Sequence, residues 1–265
     1  MAAKPKVLVI TGFGLNCEAE TQTAWELAGA EVDRLHLNDL LEDTSQLGRY
    51  AAISLIGGFS FGDHMGSGHV FAARLRHRMM EELQSFVDQG GLILGICNGF
   101  QIMVKLGLLP GLAGEFGRQR IALMQNDVGH FQNRWVTVAF DSASPCVFTR
   151  GLQRMDLPIR HGEGKLHVPD KPLLRAMEEQ GCVPCRYIDP TSGEATTVFP
   201  HNPNGSRQAI AGVCDPTGRM FGLMPHPEAF LYPFNHPQWD RRASVCCEGE
   251  PGDGLHLFRN AIDAL

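Results

Sequence analysis

The 265-residue chain has no apolar run long enough to cross a bilayer or to form the core of a secretory leader. Its first apolar stretch, Val7-Leu-Val-Ile10, follows Met1-Ala-Ala-Lys-Pro-Lys directly and has the pattern of a buried strand. A cytoplasmic location is expected, and a membrane partner is not. There is no basic cluster either, and the net charge is −6, so a nucleic-acid partner is not expected. No Walker A loop occurs, and Gly12-x-Gly14 carries Cys17 where a dinucleotide fingerprint needs its third glycine. No cofactor bound by this chain is therefore expected. Among eleven histidines there is no H-E-x-x-H. Cys182-Val-Pro-Cys185 has no second pair at zinc-ribbon spacing, and Pro184 with Arg186-Tyr187-Ile188 reads as a strand. No metal site is expected. The eight cysteines, at 17, 97, 146, 182, 185, 214, 246 and 247, make no disulfide framework in a chain this long without an export signal.

With no internal repeat and no low-complexity linker, residues 1–265 read as a single domain, and 43% hydrophobic residues suffice for a large core. The first half alternates strands and helices. Strands are expected over 7–13, 32–37, 50–56 and 91–96, and helices over 18–30 and 68–89, the second closed by Gly90-Gly91. The second half is richer in strands, over 134–140, 157–160 and 185–188. A hairpin follows, 209–214 with 220–223, around Asp215-Pro-Thr-Gly218, and a closing helix runs from about 255 to 264. The pro-rich 225–239 stretch and the 248–253 stretch read as loops. This order predicts an α/β fold with an open, mostly parallel sheet and helices on both faces. Ligands of such sheets bind beyond the C-terminal ends of the strands, which puts Gly12-Phe-Gly14, Gly57-Gly58-Phe59 and Cys97 on one rim.

The most informative stretch is Gly91-Leu-Ile-Leu-Gly95-Ile-Cys97-Asn98-Gly99-Phe-Gln101. An apolar strand ends at Cys97, and helical spacing resumes at once, which places the thiol on a tight strand-to-helix turn. For an isolated cysteine the first reading is a buried, inert end of a core strand. The flanking Gly95 and Gly99 favour the elbow, because close backbone approach leaves no room for a Cβ. The helix start would favour thiolate over thiol. Downstream, Met224-Pro-His226-Pro-Glu228 follows the apolar Met220–Leu223. In extended chain His226 and Glu228 project to one side, which supplies a base and its orienter; a turn histidine between two prolines is the plainer alternative. Cys97, His226 and Glu228 are the candidate catalytic residues. Gly57-Gly58 reads as an oxyanion hole as well as a plain turn. The candidate donors are amides near Gly58 and Phe59, with Asn98.

The cysteine elbow with Met-Pro-His-Pro-Glu resembles the class I (triad) glutamine amidotransferases. Gly14-Leu-Asn16-Cys17-Glu18, Gly57-Gly-Phe-Ser-Phe-Gly-Asp-His64, Asn126-Asp-Val-Gly-His-Phe131, His161-Gly-Glu-Gly164 and Asn202-Pro-Asn-Gly-Ser206 narrow the resemblance, over nearly the whole chain. They point to the family of glutaminase subunits of phosphoribosylformylglycinamidine synthase. The resemblance implies a flavodoxin-like class I amidotransferase fold and hydrolysis of L-glutamine through a Cys97 thioester. It further implies ammonia delivery through a channel to a separate synthetase subunit that uses ATP and Mg and makes formylglycinamidine ribonucleotide in purine biosynthesis. A small helper subunit is left open. Gln101 and Asn126 become expected glutamine contacts, and His161 and Glu163 expected interface or gating residues. Ile56, Phe61, Met65-Gly-Ser-Gly68 and Ala229 depart from the family pattern, all outside the triad, and bear on the docking surface. Two other readings remain: a related α/β cysteine hydrolase, and a catalytically silent scaffold of the same fold. The far-downstream position of Met-Pro-His-Pro-Glu disfavours the first, and the intact triad the second.

Overall fold

The structure, a computed structural model, describes residues 3–242 and 251–265. Cys246, Cys247 and positions 248–250 of the expected 248–253 loop lie outside the described residues. The strands are β1 (Lys6–Thr11), β2 (Glu31–His36), β3 (Ala52–Leu55), β4 (Leu92–Ile96), β5 (Ala122–Met124), β6 (Gln132–Phe140), β7 (Arg154–His161), β8 (Lys165–His167), β9 (Cys185–Tyr187), β10 (Ile210–Cys214) and β11 (Met220–Leu223). The helices are α1 (Glu18–Ala28), α2 (Leu37–Glu42), α3 (His69–Asp88), α4 (Asn98–Leu106), α5 (Lys171–Glu179), α6 (Trp239–Arg242) and α7 (Leu255–Asp263). Among the described residues, no helix is long and apolar enough to cross a membrane.

Nine strands form one sheet in the order β2-β1-β3-β4-β11-β10-β9-β6-β7, while β5 and β8 pair separately. From β2 through β4 to β11 every pairing is parallel. Beyond β11 every pairing is antiparallel. The parallel part therefore has the flavodoxin-like order, with β11 in the fifth place. Its strands read as continuous apolar runs because they are covered on both faces: Val7 to Ile10 and Leu92 to Ile96 are buried throughout. The cover is visible on β11, whose successive side chains point to opposite faces. Phe221 packs on Phe148 of a turn that contacts α7, and Gly222 lies under Phe100 of α4. The helices pack in pairs, α1 on α7 and α3 on α4.

Helices α2, α5 and α6 and the short strands β5 and β8 escape the periodicity argument, and α6 begins at Trp239, the last position of the stretch expected as loop. Helix α5 starts at Asp170, whose Oδ1 accepts from Leu173 N at 2.7 Å, with proline in its first turn, a regular N-terminal signal. Helix α2 is short and follows β2 without a break. The expected hairpin forms as β10 and β11, closed by the bond from Gly218 N to Asp215 O.

Candidate active site

Strand β11 joins the two parts of the sheet, and its end brings the candidate residues together. Leu223 pairs with Ile96 of β4, and the next amide, Cys97 N, donates to Leu223 O at 2.9 Å. The nucleophile segment is thereby fixed beside the start of Met224-Pro-His226, and His226 N donates to Pro158 O of β7 at 2.8 Å. Cys97 has φ 52° and ψ −104°, a left-handed conformation for a residue with a Cβ. Such backbone costs about 1–3 kcal/mol and is held by its surroundings. Gly99 is one such restraint, since a Cβ there would run into the Leu55 carbonyl of β3. The elbow thus presents Sγ at the start of α4.

His226 and Glu228 are buried, and Nδ1 of the imidazole lies 2.5 Å from Glu228 Oε1. Burial alone would lower the imidazole pKa, but the Glu228 carboxylate and the thiols of Cys97 and Cys17 outweigh it and raise it well above 6.5. Glu228 thus orients the ring and stabilises its protonated form. The opposite nitrogen, Nε2, is buried without a hydrogen-bond partner. Cys97 Sγ meanwhile sits 3.6 Å from the Arg160 carbonyl oxygen of β7. The arrangement has a nucleophile, a base with a free acceptor nitrogen, and an orienter, and it suits acyl transfer.

Comparison with known proteins agrees with this geometry. Residues 4–263 match the family model for the CobB/CobQ-like glutamine amidotransferase domain. The chain is 40% identical over 267 residues to the phosphoribosylformylglycinamidine synthase subunit PurQ of Methanococcus maripaludis, covering 98% of this chain and 97% of the relative. The chain belongs to the PurQ family of glutamine amidotransferases. The Dehalococcoides mccartyi PurQ subunit is likewise 40% identical over 260 residues, with 98% of this chain and 97% of the relative covered. A chain in the structure of PurLQS from Thermotoga maritima matches with a TM-score of 0.70 and 29% identity over 98% of this chain and 99% of that one. A glutamine amidotransferase from Thermotoga maritima, 16% identical with a TM-score of 0.53, shares the fold.

The other family residues fall into place less uniformly. The rim forms as expected: an isolated bridge joins Leu15 to Gly58, and Ser60 N donates to Asn98 Oδ1 at 3.4 Å. That bridge uses the Phe59 amide, which donates to Gly14 O at 2.9 Å. Phe59 is therefore corrected as an oxyanion donor, because its N–H already has a partner. Gly58 alternates with it and turns its own amide away from that ladder, so Gly58 and the first-turn amide of Asn98 remain.

Gln101 is buried in the first turn of α4, accepts from Asn98 Nδ2 at 2.9 Å and donates to Glu163 O at 2.6 Å. Asn126, expected to touch glutamine, is occupied on both sides. Its Oδ1 faces His161 Nδ1 and accepts from Gly164 N, and its Nδ2 donates to the carbonyls of His130 and His161. A buried amide with all these partners braces the β7–β8 turn. His161 is fully buried, so it is not itself a surface contact. Burial first, and His226 second, lower its pKa to about 3 and keep it neutral. Glu163 Oε2 accepts from Ser67 N at 3.1 Å and ties the rim loop to the β7–β8 turn. Asp63 lies beside it: burial raises its carboxyl pKa, partly offset by Ser67, and Glu163 raises it further.

Cys17, at the start of α1, is the neighbour of His226 that spacing did not reveal. Burial raises its thiol pKa to about 11, partly offset by the neighbouring His226 imidazole. Its only sequence signal was its place in Gly14-Leu-Asn16-Cys17-Glu18.

Proposed function

We propose that this chain hydrolyses glutamine at Cys97 and supplies the ammonia to a partner synthetase that makes formylglycinamidine ribonucleotide in purine biosynthesis. One observation carries the site assignment. The bond from Cys97 N to Leu223 O sets the elbow beside a His226 whose Nδ1 is held by Glu228 and whose Nε2 is free.

The thiol proton passes to His226 Nε2, and the sulfur attacks the side-chain carboxamide carbon of glutamine. The developing oxyanion meets the amides of Gly58 and Asn98. His226 then gives its proton to the leaving nitrogen, so that ammonia departs and a γ-glutamyl thioester remains. Water, deprotonated by the same imidazole, releases glutamate and restores the thiol. Glu228 keeps the ring in the tautomer that these steps need.

PurL and PurS counterparts are the proposed partners, in line with the similarity to a chain of PurLQS. ATP and Mg are assigned to the synthetase side, since this chain carries no Walker A loop. The free thiols among the described residues suit a reducing cytoplasm. Two features support control by the partner. Cys97 is only 4% exposed and His226 2%, so the rim must move to admit glutamine. Phe59, next to Gly58, is 42% exposed and stands 6.1 Å, centroid to centroid, from Phe131, which is 45% exposed. An apolar docking face thus adjoins the oxyanion segment.

Glutamate release by the isolated chain is expected to be slow and to rise about 10²–10³-fold, the worth of one oxyanion donor, when PurL, PurS and their substrates are added. Equal turnover in both states would remove the case for partner gating.

A further inference from the structure

The proposed mechanism uses Cys97, His226 and Glu228 but leaves a second thiol, Cys17, beside the same imidazole. One donor atom each of Cys17, His226 and Glu228 lies within 4.8 Å of the other two, and all three residues are buried. Glu228 Oε2 has no hydrogen-bond partner, and the imidazole edge that carries Nδ1 faces both Glu228 and Cys17. A buried carboxylate oxygen without a partner is costly to keep and is available to a ligand. Gly57 forms the wall against them. A Cβ on Gly57 would stand 2.8 Å from His226 Cε1 and 3.0 Å from Cys17 Sγ, so bare backbone lets the sulfur and the ring converge.

We propose that Cys17, His226 and Glu228 form a binding site for a thiophilic divalent cation, with zinc the best fit, and that its capture shuts off glutamine hydrolysis. The donor set decides the class of ion. One sulfur, one imidazole nitrogen and one carboxylate oxygen suit zinc, whereas magnesium and calcium take oxygen ligands. Zinc bonds of about 2.0–2.3 Å in tetrahedral geometry put donors roughly 3.3–3.7 Å apart, so the three side chains shift by up to about 1.5 Å. Water supplies the fourth position. Binding releases the Cys17 thiol proton, and the cation takes the Nδ1 position of the proton shared by His226 and Glu228, which moves to Nε2 so that the ring stays neutral. The imidazole can then no longer accept the proton of Cys97. Sequence spacing gave no sign of this site, since Cys17 and His226 meet only through the packing of α1 against the turn that follows β11.

The cation site stands on geometry alone, and its inhibitory effect rests on His226 being the base, so the test separates the two. Cobalt(II), a spectroscopic stand-in for zinc, is added to the full-length Cys97→Ser chain. A thiolate-to-cobalt charge-transfer band is expected, and it should vanish in Cys97→Ser/Cys17→Ser and in Cys97→Ser/Cys17→Ala. Calorimetric zinc affinity should fall at least tenfold in both. In a parallel assay with Cys97 intact, zinc should suppress glutamate release, a chelator should restore it, and magnesium at the same concentration should do nothing. Cys17→Ser, compared with its own zinc-free rate, should need at least tenfold more zinc. A band that persists without Cys17, or equal zinc sensitivity with and without it, overturns the site. A Cys17-dependent band with no loss of glutamate release overturns the inhibition and with it the role of His226 as base.

Discussion

The two parts of the sheet contribute differently to the site. The parallel part, β2 to β4, supplies the nucleophile, and the elements that carry Cys97 adjoin it in sequence: the strand before it, the helix after it and the glycines beside it. The antiparallel part supplies the surroundings of the base, and apart from Glu228, two residues on, these are distant in sequence. His226 is held by Glu228, by the Pro158 carbonyl of β7 and by a backbone bond between chain positions 97 and 223. A nucleophile can be built by one turn of chain, whereas a base must be delivered to it by the pairing of distant strands. Strand β11, parallel to β4 and antiparallel to β10, makes that delivery.

The largest effects should come from the two ends of this connection. Cys97→Ser is expected to abolish glutamine hydrolysis while the assembled complex still uses free ammonia, because only the thioester route is lost. His226→Ala should cost about 10²–10⁴-fold, and Glu228→Gln less, since it disturbs tautomer and alignment without deleting the base. Steady-state glutamate release with each variant checks this order. If Glu228→Gln proved the worse with folding intact, the division between base and orienter would be wrong.

A milder change separates the local part from the distant one. Gly99→Ala presses a methyl group against the Leu55 carbonyl, so it should destabilise the chain by about 1–3 kcal/mol and move the Cys97 elbow. Urea unfolding read beside glutamate release should show both losses together. Unchanged activity would mean that the elbow does not depend on close packing of α4 on β3.

The smallest effect tests the antiparallel part by pH. Burial lowers His161 from 6.5 to about 3, so between those values the unfolded chain holds a proton that the folded chain does not. Stability therefore rises with pH across this window, by up to about 1.4 kcal/mol per pH unit from this one group. His161→Gln, which can keep a bond to Asn126, should lose that share of the slope in urea midpoints between about pH 4.5 and 6.5. Parallel slopes for the two chains would show that His161 titrates normally in the fold.

The same contrast explains what could be read beforehand. The buried strands of the parallel part, the elbow and the β10–β11 hairpin each leave a local pattern, and each was legible. The oxyanion assignment was partly legible: glycines marked the segment, but only the bridge to Leu15 shows that the Phe59 amide is engaged while Gly58 turns the other way. Asn126 and His161 were recognisable as family residues, yet their bracing role depends on bonds across the β7–β8 turn that spacing does not encode. Cys17 could not be placed beside His226, because more than two hundred positions separate them in the chain. Helix α5 was missed although Asp170 caps it in a regular way.

The central claim is that Cys97, and not its neighbour Cys17, attacks the substrate. Both thiols act on the same imidazole, and burial holds Cys17 protonated, with a pKa near 11, away from the start of α4. Treatment with a glutamine-mimicking alkylator, followed by mass spectrometry of the peptides, tests this directly. A single adduct on Cys97, blocked by glutamine and lost in His226→Ala, is the predicted result; an adduct on Cys17 with Cys97 unmodified would contradict it.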